Sequence, residues 1–414
     1  MSLDSYSVKE IRDICKINGS SYSKKDNWNF FNYLDTKNIT KGEINEIKYL
    51  DPSIEKIPSR AKRKVNIDDI IISTVRPNQE HYGMIKYEMD NFLVSTGFTT
   101  LTVDKSKAIP EFIYYYITQN HITEALQTIA EQSTTSYPSI RPSDIGDIII
   151  NLPPLEIQKG ISDILSNIEY KIEINKKINK NLETQILKIY NSWFVKFESS
   201  DEFIDSSLGM IPKGWNVDYL GSKKACSIVR SGINEFDGSK IYIATADVDN
   251  SMITNNETLI TMDDKPSRAN MQPIAKSIWF AKMIDSRKLI IVDDYSIDLL
   301  NNYVFSTGFC GLKCVDKYFY YLWTFILSDT FDTIKNNFCT GTTMQAINNK
   351  DTKLIEFVLP DDEILFKFNS IAEPMFKEIY YNNTEIKKLQ KLRDTLLPKL
   401  MYGEIDVSKI NCDL

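Results

Sequence analysis

The chain has 414 residues, 42% of them hydrophobic and 11% aromatic, and carries a formal net charge of -7. This length exceeds what a single hydrophobic core usually serves, so we expect more than one domain. No apolar run reaches the roughly 18 residues that span a bilayer, and the beginning of the chain lacks the basic start and apolar run of a secretion signal. We therefore expect a cytoplasmic protein without a membrane partner.

The six cysteines are scattered through the chain, unlike the framework of a disulfide-stabilised secreted domain. Cys310 and Cys314 have a spacing seen in metal sites, but a structural zinc ion needs four ligands. The two histidines, His81 and His121, lie in the other half of the sequence. We expect reduced thiols and no metal site.

A β-rich domain is predicted over residues 1–154, because short runs of β-branched and aromatic residues there alternate with turn residues. The clearest runs are residues 70–75, 92–94 and 148–150. One helix is expected inside this domain, around residues 111–130, where tyrosine and phenylalanine recur. We interpret its aromatic side chains as core packing and not as a surface that stacks on nucleic-acid bases.

A long amphipathic helix, the first conserved helix, is predicted over residues 155–198. Apolar residues recur along it at steps of three and four, which places them on one face of an α-helix. A polar step at Asn175 interrupts this face near the middle of the helix. The residues expected to pair with a second helix are Ile161, Ile164, Ile168, Ile172, Ile178, Leu182 and Ile189.

The second half of the chain repeats the first at a nearly constant displacement. Pro58-Ser59-Arg60-Ala61 recurs as Pro266-Ser267-Arg268-Ala269, and Ser95-Thr96-Gly97-Phe98 recurs as Ser306-Thr307-Gly308-Phe309. Solenoid repeats run roughly 20 to 50 residues, so a period this long indicates duplicated domains instead.

The duplication sets the expected boundaries in the second half. We expect a polar linker over residues 199–213 and a second β-rich domain over 214–360, with one internal helix around 317–335. A second long helix with a C-terminal tail is expected over 361–414. Its residues expected to pair with the first helix are Phe368, Ile371, Met375, Ile379, Leu389 and Leu396.

Two residues of the second long helix raise questions about its geometry. Pro374 lies inside the apolar run, and an interior proline usually kinks or ends a helix. Gly160 weakens the same part of the first long helix. The opening turns of each long helix are therefore expected to form a separate short helix. Asn382 matches Asn175 in the repeat, and two interpretations remain open. Such an asparagine either fixes the register of two paired helices or faces solvent.

Two helices with isoleucine-rich faces cannot leave those faces in water, so they are expected to pack on each other or on partners. Tandem copies that pair antiparallel place their globular domains at opposite ends, related by a pseudo-twofold axis. The predicted fold class is therefore α+β, with two β-rich globular domains, each followed by a long helix. The two helices are expected to pack as an antiparallel coiled coil.

The sequence lacks the motifs of nucleotide-dependent and hydrolytic enzymes. None of its 15 glycines is spaced as in a dinucleotide-binding motif or a P-loop. Asn151-Leu152-Pro153-Pro154 differs from the Asn-Pro-Pro-aromatic motif of adenine methyltransferases, because a leucine intrudes and no aromatic residue follows. With two histidines and no catalytic set repeated between the copies, we expect no catalytic site.

Basic residues cluster in the same part of both copies. Residues 56–64 carry several cations and no acidic residue, and the matching region 265–288 is also basic. An isolated run of this kind would be a solvated loop, but lysine and arginine also contact DNA phosphates, and arginine reads base edges. A second candidate is the hydroxyl-rich loop 133–137 with Arg141, whose counterpart is 340–345. Its hydroxyls could instead bond to nearby backbone.

Several longer phrases resemble those of a known family. In chain order they are Leu152-Pro-Pro-Leu-Glu-Ile-Gln158, Lys171-Ile-Glu-Ile-Asn-Lys-Lys177, Asn191-Ser-Trp-Phe-Val-Lys-Phe197, Ile211-Pro-Lys-Gly-Trp215 and Leu396-Leu-Pro-Lys-Leu-Met-Tyr-Gly-Glu-Ile405. In this order and around a duplication, the sequence resembles the DNA-specificity subunit of a type I restriction-modification system over essentially its whole length. The first copy departs from the pattern because it lacks the Pro-x-Gly-Trp lead-in.

The resemblance implies a non-catalytic subunit with two target recognition domains, each reading one half of a split double-stranded DNA sequence. It implies two partner methyltransferase (modification) subunits, which bind S-adenosylmethionine and methylate adenine, and it admits restriction subunits with ATP. No cofactor is expected on the chain itself, and the location expected is the prokaryotic cytoplasm. The candidate DNA-binding residues are Lys56, Arg60, Lys62, Arg63, Lys64, Arg76, Thr135, Ser136, Tyr137, Arg141, Lys265, Arg268, Lys276, Lys282, Thr342, Thr343 and Gln345.

Two other functions are compatible with parts of this pattern. A self-sufficient DNA methyltransferase would transfer methyl groups without a partner. A coiled-coil scaffold with no DNA role would explain the duplication and the helices equally well. The basic runs are the feature that separates the scaffold from a DNA-recognition subunit.

Overall fold

The computed structural model describes residues 6–133, 137–342 and 344–407. The chain divides into two compact units, Met1–Ile174 with Glu385–Leu414, and Asn175–Thr384. Each unit contains one β-rich region and a part of each long helix. No helix in the described ranges is both long and apolar enough to cross a membrane.

The first unit contains two four-stranded sheets. Its strands are β1 (Ser7–Glu10), β2 (Cys15–Ile17), β3 (Phe31–Leu34), β4 (Ile39–Thr40), β5 (Glu43–Ile44), β6 (Lys48–Leu50), β7 (Ala61–Lys64), β8 (Ile70–Ser73), β9 (Tyr82–Met84), β10 (Phe92–Ser95), β11 (Phe98–Val103) and β12 (Ile149–Leu152). Its helices are α1 (Ile11–Ile14), α2 (Pro110–Ile117), α3 (Asn120–Glu131), α4 (Pro142–Gly146) and the beginning of α5 (Leu155–Tyr190). The sheet orders are β6-β3-β10-β7 and β2-β11-β8-β9, with β1-β12 and β4-β5 as two-stranded ribbons.

The second unit repeats this strand order. Its strands are β13 (Phe203–Ser206), β14 (Gly209–Pro212), β15 (Asn216–Tyr219), β16 (Cys226–Ile228), β17 (Lys240–Ile243), β18 (Val248–Asp249), β19 (Met252–Ile253), β20 (Leu259–Ile260), β21 (Ala269–Met271), β22 (Ser277–Ala281), β23 (Leu289–Val292), β24 (Tyr303–Ser306), β25 (Phe309–Cys314) and β26 (Glu356–Leu359). Its helices are α6 (Ile297–Asn302), α7 (Phe319–Leu327), α8 (Asp329–Asn337), α9 (Asn349–Thr352) and the beginning of α10 (Asp362–Met401). The orders β20-β17-β24-β21 and β16-β25-β22-β23 match those of the first unit strand for strand.

The aromatic residues of the internal helices form core, as predicted. Every residue of α7 is buried, and Phe112 of α2 is 1% exposed. The prediction of one helix over each of these stretches is wrong, because two helices occupy each of them, α2 with α3 in the first copy and α7 with α8 in the second. Ser328 ends α7 in an extended conformation, and its hydroxyl accepts a hydrogen bond from Phe331 N at the start of α8. A serine that caps a new helix breaks the preceding one.

The long helices are more continuous than the sequence predicts. α5 runs through Gly160 without a break, and α10 runs through Pro374, so the predicted separate opening helix is wrong. Phe368, Ala372 and Phe376 are buried on both sides of the proline. Their packing stabilises the helix although the proline nitrogen cannot donate a backbone hydrogen bond. The first helix ends earlier than predicted, at Tyr190, and a π-helical turn covers Asn191–Val195.

The predicted linker 199–213 contains secondary structure. β13 and β14 form an antiparallel hairpin within it, and Ser206 pairs with Gly209 at the turn. Ser206 Oγ donates to Gly209 O at 2.6 Å. A polar, serine-rich composition here marks a hairpin turn and not an unstructured connection.

Within each unit, α5 and α10 run in opposite directions. In the first unit, Glu169 bonds Arg393, and Ile161, further back on α5, shares a buried cluster with Leu400, further on along α10. In the second unit, Asn179 Nδ2 donates to Asn383 Oδ1 at 2.9 Å. Further along α5, the ring of Tyr190 lies 6.4 Å from that of Phe368, further back on α10. Residue order on one helix is therefore reversed on the other.

Candidate nucleic-acid interface

An arginine is exposed at the same place in both units, just before an edge strand. β7 and β21 are the outer strands of their sheets. Arg60 precedes β7 and Arg268 precedes β21, and both side chains are exposed. Arg60 O accepts a hydrogen bond from Thr96 N at 2.8 Å, and Arg268 O accepts one from Thr307 N at 2.9 Å. The backbone of each arginine is thus fixed while its side chain remains accessible.

The lysines around Arg60 fall into two groups. Lys56 and Lys62 are exposed, and in the described part of the chain neither forms an ion pair. Lys64 Nζ instead lies 2.5 Å from Asp26 Oδ1 and 5.1 Å from the ring centroid of Trp28. Lys64 therefore stabilises its own domain, whereas the first two lysines are available to a phosphate.

Arg63 on β7 has a donor without an acceptor. Its Nε is buried and has no hydrogen-bond partner among the residues described. Burial lowers the pKa of this guanidinium, but an arginine remains protonated at neutral pH. Because this nitrogen is buried, a DNA phosphate or base edge does not reach it directly, and the missing acceptor is not evidence for a DNA contact at Arg63.

The other candidate cations of the second unit, Lys265, Lys276 and Lys282, bond to groups of their own domain. Lys276 Nζ pairs with Asp294 Oδ2 at 2.9 Å and lies 4.9 Å from the centroid of Phe319. Lys282 Nζ donates to Thr307 O at 3.1 Å. Lys265 Nζ lies 3.4 Å from Ala269 O, a long hydrogen bond. The basic run of this unit therefore contributes mainly structural cations, and Arg268 is its exposed one.

In the first unit, the loop that follows β8 is bonded to the loop that precedes α4. Ile140 N donates to Thr74 O, and Arg76 N donates to Pro138 O, both at 2.9 Å. The Arg76 guanidinium carbon lies 4.9 Å from the ring centroid of Tyr137, which is 59% exposed. Arg76 itself has a left-handed φ of 49°. Two candidates that are distant in sequence thus form one cation–π surface.

The remaining candidates of this loop region are separate from that surface or are not described. Arg141 is exposed, and its backbone N donates to Asp144 Oδ2 at 2.7 Å as α4 begins. Thr135 and Ser136 lie outside the described residues, and so does Thr343 of the second copy.

The second unit joins the equivalent two loops. Ile347 N donates to Lys282 O at 2.9 Å, and Ile284 N donates to Gln345 O at 3.0 Å. Thr342 and Gln345 are exposed beside this contact. Met344 is 67% exposed in the same loop. The same pair of loops is therefore joined in both units. One carries a partly buried arginine and an exposed tyrosine, and the other carries an exposed methionine and an exposed glutamine.

A basic cleft in the second unit was not predicted. It encloses about 410 Å³ between β16 and β25 and is lined by Lys223, Arg230 and Lys313, among other residues. Strand register brings these cations together, since Ser227 pairs with Lys313. No contiguous basic run marks the cleft, so only the pairing of the two strands could have shown it.

The predicted helix-pairing residues lie at different depths. Ile161, Ile172 and Phe368 are buried, whereas Ile178 is 40% exposed. Those partly buried are Ile164, Ile168, Leu182, Ile189, Ile371, Met375, Ile379, Leu389 and Leu396. Buried helix residues that the prediction missed are Leu165, Tyr190, Ala372, Phe376 and Ile386. The buried face is wider than one stripe, as expected where a helix also packs on a domain.

Three thiols of the second unit, those of Cys226, Cys310 and Cys314, are buried in its core, and that of Cys339 is partly buried. Burial raises the pKa of Cys226 to about 12 and that of Cys310 to about 11. Both therefore remain protonated at neutral pH, a form that does not ligate metals well. In the described ranges, no three histidine, cysteine or acidic side chains converge as a metal site requires.

Comparison with known proteins shows similarity to one family. Residues 4–184 match the model of the type I restriction modification DNA specificity domain. The type I restriction enzyme MjaIX specificity subunit of Methanocaldococcus jannaschii is 28% identical, across 98% of this chain and 94% of its own length. The type I restriction enzyme HindI specificity subunit of Haemophilus influenzae is 23% identical, across 91% of this chain and 96% of its own length. The chain is thus similar to type I specificity subunits over nearly its whole length.

A solved type I specificity subunit has a similar fold. The crystal structure of the type I restriction-modification S subunit from M. genitalium covers 95% of this chain and 96% of its own, with a TM-score of 0.52 and 15% identity. The predicted mixed helix and sheet fold of this chain, including its long helix α5, is thereby confirmed. The model match covers the first domain, and the repeated strand order extends the same topology to the second.

Proposed function

We propose that this chain is a type I specificity subunit that reads a two-part DNA sequence, one half with each β-rich domain, and recruits two adenine methyltransferase subunits. The proposal rests on a feature that both domains share. Two domains of identical strand order each expose an arginine, Arg60 or Arg268, at the same edge strand. Equivalent cations on two copies of one fold fit two contacts of one kind on a repeating polymer such as duplex DNA.

The helices support a fixed separation between the two readers. In each unit, α5 contacts α10, through Glu169 with Arg393 in the first and Asn179 with Asn383 in the second. These contacts fit an antiparallel coiled coil with pseudo-twofold symmetry. In that arrangement the two recognition domains would lie at opposite ends of a rigid spacer. The DNA target would then consist of two specified parts separated by a constant unspecified gap. The proposed recognition domains are 1–154 and 214–360, with the spacer helices Leu155–Tyr190 and Asp362–Met401.

The chain is proposed to have no catalytic activity of its own. S-adenosylmethionine would be held by the methyltransferase partners, and ATP by restriction subunits where these join. The sequence has none of the glycine motifs that cradle such cofactors. Purified chain incubated with S-adenosylmethionine and DNA is expected to transfer no methyl groups, and transfer by the chain alone would contradict this part of the proposal.

Charge reversal tests the DNA contact directly. Arg60→Glu and Arg268→Glu, each in the complex with methyltransferase subunits, are expected to weaken DNA binding. The corresponding alanine variants should each reduce the slope of log affinity against log salt by about one, because one phosphate contact is lost. Lys105→Glu is the matched control, since this exposed lysine pairs with Asp68 in the first unit. Unchanged affinity and slope in both arginine variants would favour a scaffold without a DNA role.

A further inference from the structure

An ion pair joins the two long helices in the first unit. Arg393 Nη1 of α10 lies 3.0 Å from Glu169 Oε1 of α5, and each side chain is about one third exposed, at 30% and 32%. Arg393 also bonds the neighbouring Asp394, through Nη2 at 2.8 Å. Tyr82, Tyr114 and Tyr115 lie close enough for the charges of Glu169 and Arg393 to act on their pKa values, and burial raises the pKa of all three phenols.

The equivalent place in the second unit has no charge. The repeat aligns Ile168 with Met375, so the residue after each, Glu169 and Phe376, are equivalent. By the same repeat Arg393 is equivalent to Ile186. Ile186 and Phe376 belong to one buried cluster, with 1% and 6% exposed. Seven residues separate Asn179 from Ile186 on α5, and seven separate Asn383 from Phe376 on α10, so the contact Asn179–Asn383 places Ile186 opposite Phe376.

The duplication therefore did not preserve this contact. One copy of the site is glutamate with arginine, and the other is isoleucine with phenylalanine. Each combination is complementary only when the first helix of the chain meets the second. We propose that the Glu169–Arg393 ion pair makes the two helices of one chain select each other and reject the same helix of a second copy.

The alternative pairings show how the selection works. Two copies of α5 paired antiparallel would place Glu169 of each chain against Ile186 of the other. Two copies of α10 would place Arg393, with Asp394 beside it, against Phe376. Each self-pairing leaves charges facing apolar residues without the partner that the native pairing supplies. Helices that descend from one duplicated ancestor would otherwise share the same complementary faces, so a device against self-pairing has a physical purpose.

The selection can be tested in the full-length chain. The apolar double variant Glu169→Leu with Arg393→Leu removes the charges from both self-pairings. The charge-swapped double variant Glu169→Arg with Arg393→Glu keeps the native helices complementary and still leaves a charge against Ile186 or Phe376 in a self-pair. It is the matched control, because both doubles alter the same two positions. Each protein is refolded from denaturant over a range of concentrations, and its mass is measured by light scattering.

Cross-linking identifies which helices meet. In a self-pair of α5 that places Glu169 against Ile186, residue 177 of one chain lies opposite residue 178 of the other. Lys177→Cys in each background should therefore cross-link two copies of α5 through a short bis-maleimide. A dimer that merely exchanges α5 and α10 between chains would place residue 177 against α10 and would give no such product. Each background without Lys177→Cys reports cross-links through the native cysteines.

The expected results separate the two variants. The parent and the charge-swapped variant should remain monomeric, and the apolar double variant should form at least about tenfold more dimer that cross-links at residue 177. An apolar double variant that dimerises no more than the parent would overturn the proposal. A charge-swapped variant that self-pairs as readily as the apolar one would overturn it as well. Neither outcome depends on DNA binding, so the test is separate from that of the proposed function.

Discussion

Asn179 forms a polar contact between the two long helices, in the second unit. Its Nδ2 donates to Asn383 Oδ1, and its Oδ1 accepts from Asn382 Nδ2, both at 2.9 Å. Asn382 is 7% exposed and Asn175 is 1% exposed. The interpretation that these asparagines face solvent is therefore wrong. These amides find their hydrogen-bond partners only in the observed register of the two helices. Sliding one helix along the other would leave buried amides unpaired, so other registers are disfavoured.

Asn179→Ala is expected to destabilise the second unit by about 1–2 kcal/mol, because it leaves the amides of Asn382 and Asn383 without their partner. Chemical denaturation of the full chain, followed by hydrogen exchange at amides of α5, measures the change. Asn181→Ala is the matched control, since Asn181 is exposed on the same helix and bonds only Gln185 of that helix in the described residues. Equal effects of the two substitutions would contradict the role given to Asn179.

At the scale of elements, α5 contains a partly buried glutamate whose ionised form is disfavoured by burial. Glu183 of α5 belongs to the second unit and is partly buried, and burial raises its pKa while the charge of Arg287 opposes the shift. Arg287 is held in turn by Asp329, with Nη1 to Oδ1 at 2.7 Å, and by Asp332 at 3.2 Å. Because Arg287 already pairs with two aspartates, its charge only partly compensates the charge of Glu183. At neutral pH, α5 therefore carries an ionised carboxylate that burial disfavours.

Glu183→Gln tests this cost through its pH dependence. A carboxyl whose pKa is higher in the folded state than in the unfolded state favours folding most below the unfolded value, and this contribution is lost as pH rises through the folded value. The variant should therefore be more stable than the parent at pH 7, with the difference diminishing as pH falls toward the ordinary glutamate value of about 4.5. Thermal unfolding between pH 4.5 and 7 measures this difference in stability between variant and parent. Glu378→Gln, at an exposed glutamate of α10, is the control for the loss of one negative charge. A constant difference across this range would show that ionisation is not the cause.

Pro374 is the second element-scale test. An interior proline costs a helix about 3 kcal/mol, through a lost hydrogen bond and a steric clash. Pro374 is exposed, so no side-chain packing should be lost on replacing it. Pro374→Ala is expected to raise the free energy of local opening of α10 by about 1–3 kcal/mol, measured by native-state hydrogen exchange at residues 375–380. Glu373→Ala, at the exposed neighbouring position, should change it little. A decrease in protection would mean that the helix needs the proline's geometry.

At the scale of the whole molecule, the two units share a fold but differ in their surfaces. The first exposes Lys56, Arg60 and Lys62, whereas in the second most cations of the matching region bond to their own backbone or carboxylates. The second unit has a basic cleft instead, with Arg230 at its lining. Duplicated readers with different surfaces are expected to recognise different sequences, which fits a target whose two parts are not copies of each other.

Methylation in the source strain provides the whole-molecule test. Mapping methylated adenine across the genome, with and without this chain, should reveal one motif of two specified parts separated by a fixed unspecified gap. Replacing loop 340–347 by loop 133–141 should alter one part of the motif and leave the gap unchanged, because the helices set the gap. The reciprocal replacement is the control and should alter only the other part. A continuous motif, or a gap that changes with the loops, would contradict the two-reader arrangement.

The sequence alone determined the duplication, the β-rich domains and the long amphipathic helices. These features depend on local periodicity and on matches between the copies, both of which are written along the chain. The family resemblance rested on short phrases of the same kind. The apolar positions of α5 and α10 were predicted where they follow one stripe, as at Ile161 and Phe368. They were missed where the neighbouring domain widens the buried face, as at Leu165 and Phe376.

The tertiary structure alone decided which polar groups have partners. Lys56 and Lys276 look alike as members of basic runs, yet one is exposed and the other is paired with Asp294. Glu169 meets Arg393 across 224 residues of sequence. Hydrogen bonds and ion pairs depend on distances of a few ångströms between segments that are remote in the chain. No local pattern encodes those distances, so availability for a ligand and selectivity between helices are properties of the folded molecule.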